Sequence, residues 1–231
     1  MLDGRSMIWA GYRDQKFVGY PIADLPDGRQ AFNFVAELRR PDSELGATED
    51  WNRAGELADF LPAFEDWTFG WLDVPGIIRS APGTFLFPMV DRDPVPRWTF
   101  GRSTLLGDAA HPMYPIGSNG ASQAILDGRV LAGCLRADHD VVAALEHYES
   151  TRLPPTAAIV EANRGLGPEV PMQLVHERAP DGFDDIDSVI TRAEIDAVTD
   201  SYRRTAGFAV QALRDDPRSL IDQSPAVTDR G

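Results

Sequence analysis

Cysteine is nearly absent from this chain of 231 residues, which contains only Cys134. One thiol excludes a disulfide within the chain and is typical of a protein from a reducing compartment. Because Cys134 lies in an apolar helical segment, we expect it to be a core residue and not a reactive thiol. The chain also lacks an apolar run of membrane-spanning length and a basic start followed by an apolar core. These absences predict a protein of the cytoplasm without a membrane span.

Basic residues are scarce as well. There are 22 Lys and Arg residues against 36 Asp and Glu residues, and the formal net charge is −14. Nucleic-acid binding needs a basic surface, so we expect no nucleic-acid partner. The sequence also lacks a G-x-S-x-G hydrolase signature and a carboxylate–histidine cluster at metal-binding spacing. We therefore expect neither a protein nucleophile nor a bound metal. The length and a hydrophobic content of 43% suffice for one or two domains with a core.

The segment Arg102–Ala121 holds the most informative pattern. Thr104–Leu106 is a short apolar run, which predicts a buried strand that ends at Gly107. Gly107 permits a bend and a close approach of another group. Asp108 then stands at the carboxyl end of the strand, where open α/β sheets bind ligands. An ionised carboxylate only accepts hydrogen bonds, so this position suits a sugar or ribityl hydroxyl and not a phosphate.

A glycine-bearing loop and a helix follow this segment. The loop Gly117–Ala121 leads into Ser122–Leu135, which contains no proline and predicts a helix. Its apolar positions approximate helical spacing: Ala124, Ile125, Val130, Leu131 and Leu135. A helix N-terminus carries unpaired N–H groups and about half a positive charge, so it attracts an anion or a developing oxyanion. The sequence therefore predicts an acceptor and an anion-binding helix end close together.

The order of these features over Arg102–Ala121 is strand, Gly-Asp, Ala-Ala-His-Pro, Pro-x-Gly-x-x-Gly and helix. It resembles the second flavin-binding motif of the FAD-dependent aromatic monooxygenases of the para-hydroxybenzoate and salicylate hydroxylase type, and within them the phenazine hydroxylases. Further segments of the chain resemble the same family: Tyr20-Pro21-Ile22, Asp50-Trp51-Asn52-Arg53, Asp66-Trp67, Phe87 to Pro94, and the helix around Tyr148 to Arg164.

The resemblance implies a set of residues that contact FAD: Gly107, Asp108, Pro115, Gly117, Asn119, Gly120 and Ala121. Asp108 would hold the ribityl chain, and Pro115 would lie beside the flavin ring. The amides of Gly120 and Ala121 would face the pyrimidine edge. NADH or NADPH would reduce the FAD, and O2 would then hydroxylate a small aromatic substrate through a flavin C4a-hydroperoxide. No catalytic residue of the protein is implied, because the flavin carries the chemistry.

One element of the family is missing from the sequence. Its members begin with a βαβ unit whose G-x-G-x-x-G turn receives the FAD pyrophosphate. This motif does not occur here, and the nearest approach, Gly165-Leu166-Gly167-Pro168, fits a helix end. The resemblance thus implies the C-terminal part of a monooxygenase, without the N-terminal Rossmann unit. The expected partner is a missing Rossmann half or a second copy of the chain. The alternative is an inactive remnant that binds an aromatic ligand or a partner chain.

The expected fold class is mixed α+β and α/β, in three parts. Residues 1–98 would form a partial substrate-binding antiparallel sheet, residues 99–165 the C-terminal strand and helices of the FAD-binding domain, and residues 166–231 a helical extension and tail. Phe17–Ile22 and Gln30–Arg39 flank Pro26-Asp27-Gly28, which predicts an antiparallel hairpin. In its second strand one set of alternating residues should face a core or ligand: Phe32, Phe34, Ala36 and Leu38.

The family places such a sheet over the flavin, so the resemblance makes Tyr20, Phe87 and Met89 candidates for lining the substrate pocket. The alternative is that these three side chains are ordinary strand core. Glu49–Phe64 has apolar residues at helical spacing and predicts a helix, and Thr84–Val90 predicts a further strand.

Two charged residues near the motif have two interpretations each. Arg92 lies between two aspartates and is predicted to form an ion pair between domains; the alternative is that it steadies the cofactor region or an anionic substrate. His111 is predicted to be a packed residue behind the site; the alternative is that it senses the flavin charge.

The remaining sequence predicts further helices. Val141–Arg152 and Pro155–Arg164 should form a packed pair, because a proline pair separates them. Prolines and an acidic run after Gly165 predict an irregular connection. Ile186–Arg204 should be an amphipathic helix, and the last residues a frayed tail.

Overall fold

The computed structural model describes residues 4–41 and 52–207. The chain divides into two compact units, residues 1–89 (unit 1) and residues 90–231 (unit 2). Unit 1 combines a small antiparallel sheet with short helices, and unit 2 is mainly helical. The predicted mixed α/β class is confirmed. The three-part division at residues 98 and 165 stays a prediction.

Unit 1 is built around a three-stranded sheet in the order β1-β2-β3. Its strands are β1 (Ile8–Tyr12), β2 (Gln15–Asp24) and β3 (Gln30–Leu38). The predicted hairpin is confirmed, since β2 and β3 pair antiparallel with Gly19 opposite Phe34. Its turn is closed by the Leu25 N–H, which donates to the Arg29 carbonyl at 2.8 Å. Gly28 adopts φ +82°, a left-handed conformation that glycine takes at little cost.

The core of unit 1 lies against one face of this sheet. Its buried residues are Phe17, Phe64, Leu72, Val74 and Ile78. The alternating residues predicted in β3 all pack against this cluster: Phe32, Phe34, Ala36 and Leu38. Phe17 and Phe34 stack with their ring centroids 5.8 Å apart. The alternation therefore serves a core, as expected for a strand with one buried face.

One predicted helix of unit 1 is shorter than expected, and one predicted strand does not form a ladder. Within the described part of Glu49–Phe64 the helix is only α1 (Leu57–Phe60), continued by a 3₁₀ turn over Leu61–Phe64. Ala54 instead forms an isolated bridge with Phe85, so the backbone before α1 is extended. Pro62 lacks an N–H group, which favours the tighter turn over a continued α-helix. Asp50 and Trp51 lie outside the described residues.

The predicted strand Thr84–Val90 is not formed. Apart from the bridge at Phe85 it has no ladder partner among the described residues. Pro88 removes a backbone donor from the middle of the segment, which opposes pairing. The other short elements of unit 1 are the hairpin β4 (Thr68–Phe69) and β5 (Leu72–Asp73) and the helix α2 (Val74–Ser80).

Unit 2 contains four helices among its described residues: α3 (Gly120–Ala137), α4 (Val141–Arg164), α5 (Val170–Arg178) and α6 (Arg192–Thr205). Helices α3 and α4 pack around a core of Trp98, Ala110, Cys134, Ala144 and Tyr148. Cys134 is 6% exposed, so the expected core position is confirmed. No helix of the described residues is long and apolar enough to cross a membrane.

Helix α4 corrects the prediction of two separate helices, because it runs through Pro154 and Pro155 without a break. The proline pair removes the backbone donors that would serve the carbonyls of Ser150 and Thr151. Ser150 is exposed, so water can serve its carbonyl. Tyr148 and Ile159 are fully buried on either side of the pair. Packing on both sides therefore keeps the two halves of the helix in line.

The connection after Gly165 is more regular than predicted. A 3₁₀ turn over Gly167–Glu169 leads into α5, in which Pro171 stands within the first turn. A proline is tolerated there because its missing N–H group would have no partner in the helix. Helix α6 begins at Arg192, later than predicted, and Ile186–Ser188 forms a separate 3₁₀ turn. The last residues, predicted to be a frayed tail, lie outside the described residues.

The start of α6 predicts a pH effect. Thr191 and Glu194 form a capping box, and Glu194 also accepts from Arg178 at 2.9 Å. The Arg178 hydrogen bond and then the Thr191 backbone and hydroxyl donors lower the pKa of Glu194 from 4.5 to about 2. A depressed carboxylate pKa stabilises the fold fully above pH 4.5, and this contribution is lost as the pH falls towards 2.

We expect the wild-type chain to lose more unfolding free energy between pH 5 and pH 2.5 than Glu194→Gln, measured by urea titration. Glu146→Gln changes an exposed carboxylate of α4 and is the matched control. Equal losses of unfolding free energy in the wild type and in Glu194→Gln would contradict the lowered pKa assigned to Glu194.

Candidate functional site

The predicted Gly-Asp motif forms a tight turn in unit 2. Leu106 is extended, with φ −150° and ψ 145°, and a 3₁₀ turn over Gly107–Ala109 follows. The run Thr104–Leu106 pairs with no strand among the described residues, so the predicted strand is wrong there although the backbone is extended. A strand needs neighbouring strands, and this part of the chain offers none. Gly107 is buried with φ +60°, and Asp108 is exposed.

Contacts from the helices hold this turn. An added Cβ on Gly107 would lie 3.3 Å from the Ala124 Cβ of α3, so glycine permits close packing here. The Gly107 N–H donates to the buried carboxylate of Asp127 at 3.1 Å. The carboxylate of Glu149 on α4 accepts from the Trp98 N–H at 3.0 Å. Contacts from α3 and α4 therefore hold the segment that leads to Asp108 in place.

The second part of the site is the loop Pro115–Asn119. The Ser118 N–H donates to the Pro115 carbonyl at 3.0 Å. Gly117 and Ser118 both adopt left-handed backbone angles, with φ +73° and +53°. An added Cβ on Gly117 would lie 2.7 Å from Cε1 of Tyr202, closer than real contacts allow. Position 117 therefore requires glycine for its backbone angle and for the ring beside it.

The structure brings Asp108 to the N-terminus of α3. An ideal Cβ on Gly120 would lie 3.9 Å from Oδ1 of Asp108. Asn119 precedes the helix, and its side chain makes no capping hydrogen bond. The first N–H groups of α3 therefore lack a side-chain acceptor. Asp108 itself has no hydrogen-bond partner among the described residues. An accepting carboxylate thus stands beside a cluster of donors, a pairing that suits a ligand with hydroxyls and a negative edge.

A buried polar network lies behind the two loops. Asp127 of α3 is fully buried and accepts from Arg152 Nε at 2.7 Å and from His111 Nε2 at 2.6 Å. Arg152 also donates to the side-chain oxygen of Gln123 at 2.7 Å. Burial favours a raised pKa for Asp127, but the hydrogen bonds from His111, Arg152 and the Gly107 N–H outweigh it and lower the pKa. The carboxylate is therefore ionised and pairs with Arg152.

The structure favours the first interpretation of His111, in which it is a packed residue behind the site. It is buried, and its ring lies 5.7 Å from that of Trp98, measured between centroids. Its Nδ1 has no hydrogen-bond partner among the described residues. His111 also borders a small cavity that Arg92 and Asp93 line as well. The two aspartates that flank Arg92 both pair with Arg164 of α4, at 2.6 Å from Asp91 and 2.9 Å from Asp93.

The three substrate candidates lie in unit 1, and their role stays a prediction. Tyr20 is partly buried in β2 opposite Asn33. Phe87 and Met89 are 53% and 37% exposed and lie outside the described strands. The alternative that these two are strand core is therefore wrong. Phe87 lies 6.1 Å from Phe85 between ring centroids, so the segment presents neighbouring aromatic rings.

The sequence analysis missed the residues that fix the loops: Gln123, Asp127, Arg152, Asn163 and Tyr202. A signal exists for part of this set, because Gln123 and Asp127 are four residues apart and share the buried face of α3 with Cys134. Of the predicted apolar positions, Val130 and Leu131 pack against the core that contains Cys134, whereas Ile125 is 73% exposed. Among the described residues no cluster of three or more His, Cys, Asp or Glu side chains could hold a metal ion.

Comparison with known proteins gives a family match and several relatives. Residues 89–163 match the family described as FAD binding domain. The chain is 51% identical over 166 residues to phenazine 1,6-dicarboxylic acid hydroxylase of Lysobacter antibioticus, over 71% of this chain and 41% of that protein. It is 36% identical over 179 residues to 3-amino-4-hydroxybenzoate 2-monooxygenase of Streptomyces platensis, over 75% of this chain and 42% of that protein.

A solved structure supports the fold. A salicylate hydroxylase in complex with its substrate superimposes with a TM-score of 0.59 at 22% identity, over 87% of this chain and 49% of that one. The chain spans about two fifths of the length of the curated relatives it matches. Both Asp108 and the N-terminus of α3 lie within the matched FAD-binding segment. Residues 89–163 therefore belong to the FAD-binding domain family, and the chain is similar to aromatic hydroxylases and monooxygenases.

Proposed function

We propose that this chain forms the ribityl and pyrimidine side of an FAD site in an enzyme that hydroxylates an aromatic substrate with NADH or NADPH and O2. The observation that carries the proposal is the placement of the Asp108 carboxylate beside the uncapped N-terminus of α3. The membership of residues 89–163 in an FAD-binding family supports it.

The proposed contacts use the chemistry of each group. Asp108 accepts hydrogen bonds from ribityl hydroxyls, because an ionised carboxylate has no proton to donate. The N–H groups of Gly120 and Ala121 face the pyrimidine edge of the flavin, which becomes negative on reduction. The positive end of α3 stabilises that charge without any rearrangement of the protein. Gly107 and Gly117 allow the tight backbone turns before Asp108 and before α3, and Pro115 lies beside the flavin ring. Bound FAD supplies the redox chemistry, and no side chain acts as a nucleophile.

The substrates named for the relatives support one substrate class. They act on phenazine 1,6-dicarboxylic acid, 3-amino-4-hydroxybenzoate and 3-hydroxybenzoate. All three are aromatic rings that carry a carboxylate. We therefore propose an aromatic carboxylate as the substrate of this chain, with Tyr20, Phe87 and Met89 as the side chains that contact it.

Flavin binding tests the proposal directly. FAD added to the purified chain should be bound, and its fluorescence should change in a saturable titration. Asp108→Ala should raise the dissociation constant at least about tenfold, because a hydrogen bond to a charged group contributes about 1.5–3 kcal/mol. Asp200→Ala removes an exposed carboxylate of α6 and is the matched control.

Two results would overturn the proposal. Either the wild-type chain binds no FAD, or Asp108→Ala binds it as well as the wild type while Asp200→Ala does the same. The first result would favour the alternative of a module that binds an aromatic ligand or partner chain. Circular dichroism of each variant would establish that its fold is retained.

A further inference from the structure

Helix α6 contributes one buried side chain to the loop before α3. Tyr202 lies 83 residues from Asn119 in the sequence, and its hydroxyl contacts the Asn119 side-chain amide. The same hydroxyl lies 2.6 Å from Oδ1 of Asn163 and 3.3 Å from the Ile116 carbonyl. Tyr202 lies beyond the segment that matches the FAD-binding family, residues 89–163. Its contacts therefore add something that the family match does not describe.

The orientation of the Asn163 amide sets the directions of these hydrogen bonds. The Asn163 amide Nδ2 donates to the Tyr114 carbonyl at 3.0 Å, so Oδ1 of Asn163 is an acceptor. The Tyr202 O–H donates to this oxygen, which leaves the phenol oxygen to accept from Nδ2 of Asn119. Burial raises the pKa of Tyr202, which keeps the phenol protonated. Oδ1 of Asn119 is then left without a partner among the described residues, although the residue is only 1% exposed.

Asn119 lacks the hydrogen bond that an Asn at a helix N-cap normally makes. An Asn at a helix N-cap accepts from the second or third N–H group of the helix through its Oδ1, and its backbone is usually extended. Here those N–H groups belong to Ala121 and Ser122. Asn119 has φ −95° and ψ −23° and makes no such bond. The residue before it, Ser118, keeps a left-handed φ of +53°, which is costly for a residue other than glycine. The loop therefore lacks the cap that an Asn in this position ordinarily makes.

We propose that Tyr202 is a positioning residue that holds the Asn119 amide away from α3 and so keeps the N–H groups of Ala121 and Ser122 open for a ligand. The inference rests on the proposed function, because that function assigns the Ala121 N–H group, one of these two donors, to the flavin. Without the Tyr202 hydroxyl, Asn119 turns its Oδ1 to the first turn of α3. The cap then competes with the negative edge of the flavin for the same donors.

The test measures these donors without any ligand first. In Tyr202→Phe we expect amide hydrogen exchange at Ala121 or Ser122 to slow by about fivefold, because an N-cap contributes about 1 kcal/mol. The dissociation constant for FAD should rise by about the same factor. Adding Asn119→Ala to Tyr202→Phe removes the competing oxygen, so exchange should return to the wild-type rate and most of the FAD affinity should be recovered.

Tyr148→Phe is the matched control, since Tyr148 is another buried tyrosine whose hydroxyl donates one hydrogen bond, to the Leu105 carbonyl at 3.2 Å. It should leave the exchange at Ala121 and Ser122 unchanged. Faster or unchanged exchange in Tyr202→Phe would overturn the inference, as would a loss of FAD affinity that Asn119→Ala does not reverse. A wild-type chain that binds no FAD would overturn the proposed function alone, because the exchange rates still decide the role of Tyr202.

Discussion

Replacing Arg152 with methionine is expected to lower the free energy of unfolding by about 3–5 kcal/mol, because it leaves Asp127 as a buried charge without its partner. Asp127 is fully buried, and Arg152 donates to it at 2.7 Å. The same change frees the side-chain oxygen of Gln123, which accepts from Arg152 at 2.7 Å. Gly107 and His111 also depend on the Asp127 carboxylate, so the turn before Asp108 should loosen with it.

Chemical denaturation of three variants measures this effect. Arg192→Met is the matched control, since Arg192 pairs with Asp196 at the surface and such a pair contributes less than about 1 kcal/mol. Arg152→Met combined with Asp127→Leu should recover much of the stability, because no unpaired charge then remains in the core. A loss below about 1 kcal/mol in Arg152→Met would show that the pair does not support unit 2.

Replacing Gly117 with alanine should lower the free energy of unfolding by about 2–5 kcal/mol and weaken FAD binding more than tenfold. Two costs add. The left-handed φ of +73° disfavours any residue with a Cβ by about 1–2 kcal/mol. The new methyl group also overlaps the ring of Tyr202, and overpacking typically costs about 1–3 kcal/mol. Movement of that ring would disturb Asn119, which is bonded to it.

Gly128→Ala is the control for this change. Gly128 lies inside α3, and beyond the backbone of the helix itself an added Cβ would meet no atom of the described residues within 4 Å. Alanine is the better helix former, so this variant should be unchanged or more stable by up to about 1 kcal/mol. Urea titrations and FAD titrations of both variants provide the comparison. Equal unfolding free energies and equal FAD affinities of the two alanine variants would show that stability and binding do not depend on the geometry at position 117.

The features predicted well from the sequence depend on neighbouring residues. The hairpin of β2 and β3 follows from Asp27-Gly28 and two alternating segments. Helix α3 follows from an uninterrupted helical segment. Each of these signals spans fewer than about twenty residues. Local backbone preference is enough to form such elements, so the sequence alone indicates them.

The features that were missed depend on residues far apart in the chain. Tyr202 reaches Asn119 across 83 positions, and Arg152 reaches Asp127 across 25. Spacing along one helix gives no sign of such partners. Packing also overrides local rules in α4, where Pro154 and Pro155 remain within one helix. In unit 1 the segment Thr84–Val90 has the apolar content of a strand, yet it finds no ladder among the described residues.

The position of Cys134 gives the chain a built-in reporter. It is the only thiol of the 231 residues, and it is buried beside Trp98 and Tyr148 in the core of unit 2. A thiol reagent reaches it only when α3 separates from that core, so the labelling rate of the native chain measures how often unit 2 opens. Unit 1 carries no thiol and stays silent in such a measurement. The opening of unit 2 can thus be followed separately from that of unit 1, without an engineered probe.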